Sequence, residues 1–155
     1  MPRKFRDLSE QEILALAISL EEEDGRIYGD FADGLRDTYP ATARMFEAMQ
    51  EEEAGHRDSL IDMHRRGFGE HIPLIRRQDV KGFVERRPVW LARPLRIATV
   101  RKQAEVMELE TRRFYERATE QISDASVRKL LNELAEVERR HAQDQLQASQ
   151  RFRSA

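Results

Sequence analysis

Four glutamates and two histidines stand where the pattern of the chain calls for apolar side chains. An α-helix turns about 100° per residue, so with Ala17 at 0° Glu21 falls at about 40°, Asp24 at about −20° and Tyr28 at about 20°. Ile13, Leu16, Leu20, Ile27, Phe31 and Leu35 share that stripe. Glu53 and His56 occupy seam positions between Met49 and Leu60. With Ala104 at 0°, Glu108 falls at about 40° and Tyr115 at about 20°; with Leu134 at 0°, Glu138 falls at about 40° and His141 at about −20°. Burying one unpaired carboxylate costs several kcal/mol. Several of them facing one another repel and take up protons. Two divalent cations remove both penalties, because four carboxylates and neutral imidazoles balance their charge.

The pattern occurs twice. Glu21 and Tyr28 are seven apart, as are Glu108 and Tyr115. Glu53-Ala54-Gly55-His56 and Glu138-Arg139-Arg140-His141 are both Glu-x-x-His. One such motif is weak in a chain that is 36 % charged. Two, each preceded by Glu-x6-Tyr in the same order, are a strong signal for a dinuclear carboxylate site. Runs of acidic residues are usually solvated, and Glu21–Glu23 and Glu51–Glu53 are such runs. Only Glu21 combines a stripe position with a tyrosine partner, and His56 singles out Glu53. Tyr28 and Tyr115 suit either core packing or hydrogen bonding to the carboxylates. Glu105, at about 100° on the edge of its stripe, reads equally as an extra ligand or a surface residue. Asp24 faces inward with no role assigned. His64 and His71 are expected on the surface, and Phe83, Trp90 and Leu91 in packing or dimer contacts.

These residues need helices to position them. Ser9 followed by Glu12 has the form of a capping box and opens a first helix over 9–37. Pro40 opens a second, over 40–65, stopped by Gly67 and Gly69. Residues 67–94 hold six glycines and prolines and form an irregular crossover with room for a short helix around 78–86. Pro94 opens a third helix, and Asp124 caps a fourth that carries apolar positions as far as Leu146. Short turns make helices one and two antiparallel, and likewise three and four. The expected fold is all-α: a ferritin-like four-helix bundle of two helical hairpins joined by a long crossover, closed within one chain or domain-swapped in a dimer.

A chain of 155 residues is one domain's worth. Its 27 basic and 29 acidic side chains leave a net charge of −2, which argues against nucleic-acid binding. Without cysteine there is no disulfide, thiolate ligand or cysteine nucleophile. No apolar run approaches the roughly 20 residues of a membrane span, and the N-terminus carries no signal-peptide pattern. Charge is unevenly spread. Residues 1–63 carry 7 basic and 16 acidic groups, whereas residues 64–103 carry 11 and 3. The basic block reads as a solvated linker, or as a contact for an acidic partner such as a second copy or an anionic membrane.

Glu21-x6-Tyr28, Glu53-x-x-His56, Glu108-x6-Tyr115 and Glu138-x-x-His141 together resemble the rubrerythrin branch of the ferritin-like superfamily, over residues 9–148. The pattern is most similar to the erythrin domain of membrane-bound ferritins, fused there ahead of a vacuolar-iron-transporter-like membrane domain. The resemblance implies two iron ions, with Mn or Zn as substitutes. Glu21 and Glu108 are then terminal ligands, Glu53 and Glu138 bridge, and His56 and His141 each complete one iron. Glu105 is the one candidate for the additional carboxylate, although it precedes Glu108 where rubrerythrin spacing would place it after. The implied activity is oxidation of Fe(II) by dioxygen or hydrogen peroxide for iron detoxification and export. The alternative is an iron-sensing or iron-delivery module without turnover. The resemblance further implies a homodimer and a cytoplasmic domain held at the inner membrane by a C-terminal domain outside these residues.

Overall fold

In the computed structural model, residues 2–154 are described, with side chains as far as His141 and that of Gln143; Leu146 lies outside the described side chains. The chain is all-α. Four helices, α1 (Glu10–Leu35), α2 (Pro40–Phe68), α3 (Ile97–Gln121) and α4 (Ala125–Ser154), form two helical hairpins in the ferritin-like arrangement. The chain divides into two compact units, Met1–Leu95 and Arg96–Ala155, one hairpin in each.

In the first unit α1 begins at the capping box. The Ser9 hydroxyl accepts from the Glu12 amide at 3.1 Å, and the Glu12 carboxylate accepts from the Ser9 amide at 3.0 Å. The stripe of α1 meets α2 through an aromatic cluster. Tyr28 stacks on Phe46 at 5.7 Å between centroids, and Phe31 tilts against the same ring at 5.3 Å. Glycine lets the helices close up. A Cβ at Gly29 would lie 2.5 Å from the Gln50 side-chain nitrogen, and one at Gly25 would already touch the Glu53 Cβ at 3.5 Å.

Helix α2 runs past Gly67 to Phe68. A glycine inside a helix costs only about 1 kcal/mol. Termination falls to Gly69, whose φ of 91° is open to glycine and strained for other residues. Its amide donates back to the Arg65 carbonyl at 3.1 Å. The extra turn buries His64, against expectation. His64 Nδ1 donates to the Gly69 carbonyl at 3.1 Å, its Nε2 accepts from Gln11 at 3.5 Å, and its ring packs on Phe68. His71 is exposed, as expected.

The crossover holds two short 3-10 turns, Arg77–Asp79 and Val89–Leu91, in place of the helix expected around 78–86. It is pinned to the N-terminus. The Arg3 amide donates to the Asp79 carbonyl at 2.9 Å, and the Lys81 amide donates to the Arg3 carbonyl at 2.8 Å. Phe83 lies under the Arg77 guanidinium, Trp90 is half-buried and Leu91 is exposed.

In the second unit α3 starts at Ile97 behind the extended Arg96, so Pro94 precedes the helix instead of opening it. Val100, Ala104, Met107, Phe114, Tyr115 and Ala118 of α3 are buried, as are Val127, Leu131, Leu134 and Ala135 of α4. Asp124 caps α4, its Oδ1 accepting from the Val127 amide at 3.1 Å. Among the described residues no helix is long and apolar enough to cross a membrane.

Candidate metal centre

The first hairpin brings three of the expected ligands together. Glu21 on α1 and Glu53 on α2 are each 1 % exposed. His56 follows Glu53 by one helical turn. One ligand atom from each of Glu21, Glu53 and His56 lies within 4.8 Å of the others. His56 Nδ1 is 3.6 Å from Glu21 Oε2. The α-helix dictates this local geometry, since residues three apart present neighbouring side chains on one face. Gly25, one turn beyond Glu21, faces the Glu53 Cβ across the helix pair.

The second hairpin repeats the arrangement in its own residues. Glu138 is 1 % exposed and His141 is buried, with His141 Nδ1 3.8 Å from Glu138 Oε2. Glu108 is buried on α3, and Tyr115 is wholly enclosed beside Phe114, their centroids 5.2 Å apart. Tyr28 is enclosed in the same way in the first unit. Glu105 is exposed, so the structure does not bring it onto the face that carries Glu108.

The donor set can be tested against a metal. His56 Nδ1 and Glu138 Oε1 are buried atoms with no hydrogen-bond partner among the described residues. Polar atoms left so cost about 1–3 kcal/mol each unless something coordinates them. Carboxylate oxygens and imidazole nitrogens suit Fe(II), Mn(II) and Zn(II), and the absence of thiolates disfavours soft ions. The residues present therefore fit a first-row divalent cation.

Around the ligands runs a charge network absent from the sequence-level expectation. Asp24, buried one turn beyond Glu21, receives a hydrogen bond from Arg86 of the crossover at 2.6 Å. The same guanidinium lies 3.4 Å from Glu23, and Arg77 approaches Glu23 at 3.8 Å. Arg77 also donates to the Val84 carbonyl at 2.7 Å and packs over Phe83. Arg77 and Arg86 have side chains only 7 % exposed. The basic block is thus neither a solvated linker at these positions nor reserved for another molecule. Two of its arginines meet the acidic block of their own chain. The signal was available in Asp24, an acid in a core stripe, set beside a crossover rich in arginine.

Two hairpins of acid- and imidazole-bearing helices define the ferritin-like class of helical proteins. Comparison with known proteins makes this specific: the rubrerythrin family matches residues 12–148, and the chain belongs to that family. No curated protein matches it. Two solved structures share the fold. A hypothetical protein from Pyrococcus furiosus is 21 % identical, with 93 % of this chain and 90 % of that one covered and a TM-score of 0.78. A candidate ferritin-like diiron-carboxylate protein from Thermotoga maritima is 19 % identical, with 90 % and 93 % covered and a TM-score of 0.72.

Proposed function

We propose that the chain is a dinuclear iron-carboxylate oxidoreductase that oxidises Fe(II) with dioxygen or hydrogen peroxide. The observation that carries this reading is a pair of Glu-x-x-His units, one in each hairpin, with Glu53, Glu138 and His141 buried, His56 half-buried, and each imidazole nitrogen turned to a carboxylate. Glu21, Glu53 and His56 supply one half of the proposed ligand set, and Glu108, Glu138 and His141 the other. Glu21, Glu53, Glu108 and Glu138 would supply carboxylate oxygens to the metals, and His56 and His141 imidazole nitrogens. Exposed Glu105 stays outside the set.

When bound, a pair of Fe(II) ions would supply the two electrons that an oxygen or peroxide substrate takes up. The protein's own groups do the rest. Four carboxylates hold the charge near neutral in a buried setting, where excess charge costs most. Neutral imidazoles add donors without adding charge. The enclosed phenols of Tyr28 and Tyr115 stand on the same helices as Glu21 and Glu108, seven residues or about two turns further along the stripe.

On the finer reading the chain is the erythrin portion of a membrane-bound ferritin, attached to a membrane transporter and serving iron detoxification and export. The repeated Glu-x6-Tyr and Glu-x-x-His pattern supports it. The test is anaerobic Fe(II) titration of the purified chain, followed by exposure to oxygen or peroxide. Two irons per site and repeated turnover are expected for wild type. A Glu53→Ala, Glu138→Ala variant that oxidises Fe(II) as fast as wild type overturns the proposal. Tight binding with a single turnover transfers the assignment to an iron-delivery module.

A further inference from the structure

A cleft of about 390 Å³ opens between α1 and α2, and Glu21 lies in its wall. All its lining residues belong to the first hairpin. On a helical wheel with Ala17 at 0°, Glu21 stands at about 40°, Gly25 at about 80°, Gly29 at about 120° and Arg26 at about 180°. The wall of the cleft therefore passes from the core stripe, through two glycines, to the solvent side of α1. On α2 the facing positions include Ala54, directly after Glu53. Gly25 faces the Glu53 Cβ and Gly29 the Gln50 side chain, and Ala54 is the small residue on the α2 side.

The rim is acidic. Glu22, Asp30 and Asp33 line it together with Arg26 and Arg57; Asp33 is paired with Arg36 at 3.0 Å and Arg57 with Asp58 at 3.3 Å. With Glu21 included, carboxylates outnumber guanidiniums by four to two. Such a concave, negatively charged surface concentrates cations. Six waters at about 30 Å³ each occupy about 180 Å³, so the volume admits a hydrated divalent ion.

We propose that this cleft is the route by which a hydrated divalent metal ion reaches the buried centre, with Glu21, buried in its wall, the ligand it leads to. The inference rests on the reading of Glu21 as a ligand. A route alters the rate of loading in both directions and leaves the equilibrium alone, so it can be separated from the site itself.

The test uses Co(II) as a visible-absorbing probe, mixed rapidly with the full-length metal-free protein. Ala54→Leu, which fills the cleft, is expected to slow uptake about tenfold while final stoichiometry and affinity stay at wild-type values. Asp30→Asn with Asp33→Asn, at positions needing no repacking, is expected to slow uptake about threefold and flatten its dependence on ionic strength. This second variant carries the test if Ala54→Leu fails to fold. Uptake at the wild-type rate in the variants that fold overturns the route. So does a loss of affinity in Ala54→Leu, which makes the cleft part of the holding site. Wild-type protein that binds no Co(II) overturns the metal-centre reading itself, a distinct result.

Discussion

At the scale of single residues, the buried acids set the terms. Glu53 and Glu138 are enclosed to the same degree as leucines on the same helices. Burying a carboxylate costs several kcal/mol unless a counter-charge offsets it, and a divalent cation is such a counter-charge. Glu53→Gln keeps the shape and removes the charge, and metal content by elemental analysis is expected to fall by at least half. Asp24 illustrates the other way of tolerating a buried acid, because Arg86 supplies the counter-charge directly. Arg86→Met strips that partner from a carboxylate that stays buried. Breaking such a pair from one side typically costs about 3 kcal/mol. Urea unfolding of Arg86→Met is expected to show that loss. The double change to Arg86→Met with Asp24→Asn should recover a large part of it.

At the scale of elements, the helix ends show which local signals can be trusted. The Ser9–Glu12 box and the Asp124 cap sit where the sequence places them, because each is built from contacts only three residues apart. Gly67 and Gly69 were indistinguishable as stops on composition. Only Gly69 takes a positive φ. Gly69→Ala is therefore expected to cost about 1–2 kcal/mol, read in thermal unfolding. Gly67→Ala, inside a helix, should stabilise by up to about 1 kcal/mol. Pro94 misled in the opposite sense. Proline suits a first helical turn but does not demand one, and α3 starts three residues later.

At the scale of the whole molecule, the N-terminal segment, the crossover and α1 form one electrostatic and hydrogen-bonded unit. Arg3 pairs through its backbone with Asp79 and Lys81 and through its guanidinium with Glu12. That guanidinium, helped by the Ser9 amide and hydroxyl, lowers the Glu12 carboxyl from 4.5 to about 2. A carboxyl depressed on folding contributes stability that is complete above its unfolded value near 4.5. The contribution fades as pH falls toward about 2. Stability of wild type measured against Glu12→Gln should therefore differ at pH 6 and converge as pH approaches 2. Metal adds a second dependence. Ligand at about one hundred times its dissociation constant stabilises the native state by about 2.7 kcal/mol, so chelator-treated protein should unfold at lower temperature.

Much of the candidate site could be read in advance because helical periodicity is strict. A stripe position points toward the core whatever its chemistry, so Glu21, Glu53, Glu108, Glu138 and His141 are buried where the wheel places them, whereas His56 is only half-buried. Glu105 sat at the stripe's edge, where periodicity does not discriminate, and the fold exposes it.

From its sequence alone this chain is committed to four helices, to two matching Glu-x6-Tyr and Glu-x-x-His pairs, and to the caps that begin α1 and α4. All of these depend on neighbours within about one or two turns. Tertiary structure alone assigned Arg77 and Arg86 to Glu23 and Asp24, buried His64 against Gln11, and opened the cleft beside Glu21. Those outcomes join residues more than fifty positions apart in the first two cases, and in the third depend on how closely two helices approach. Helical periodicity carries no information about either.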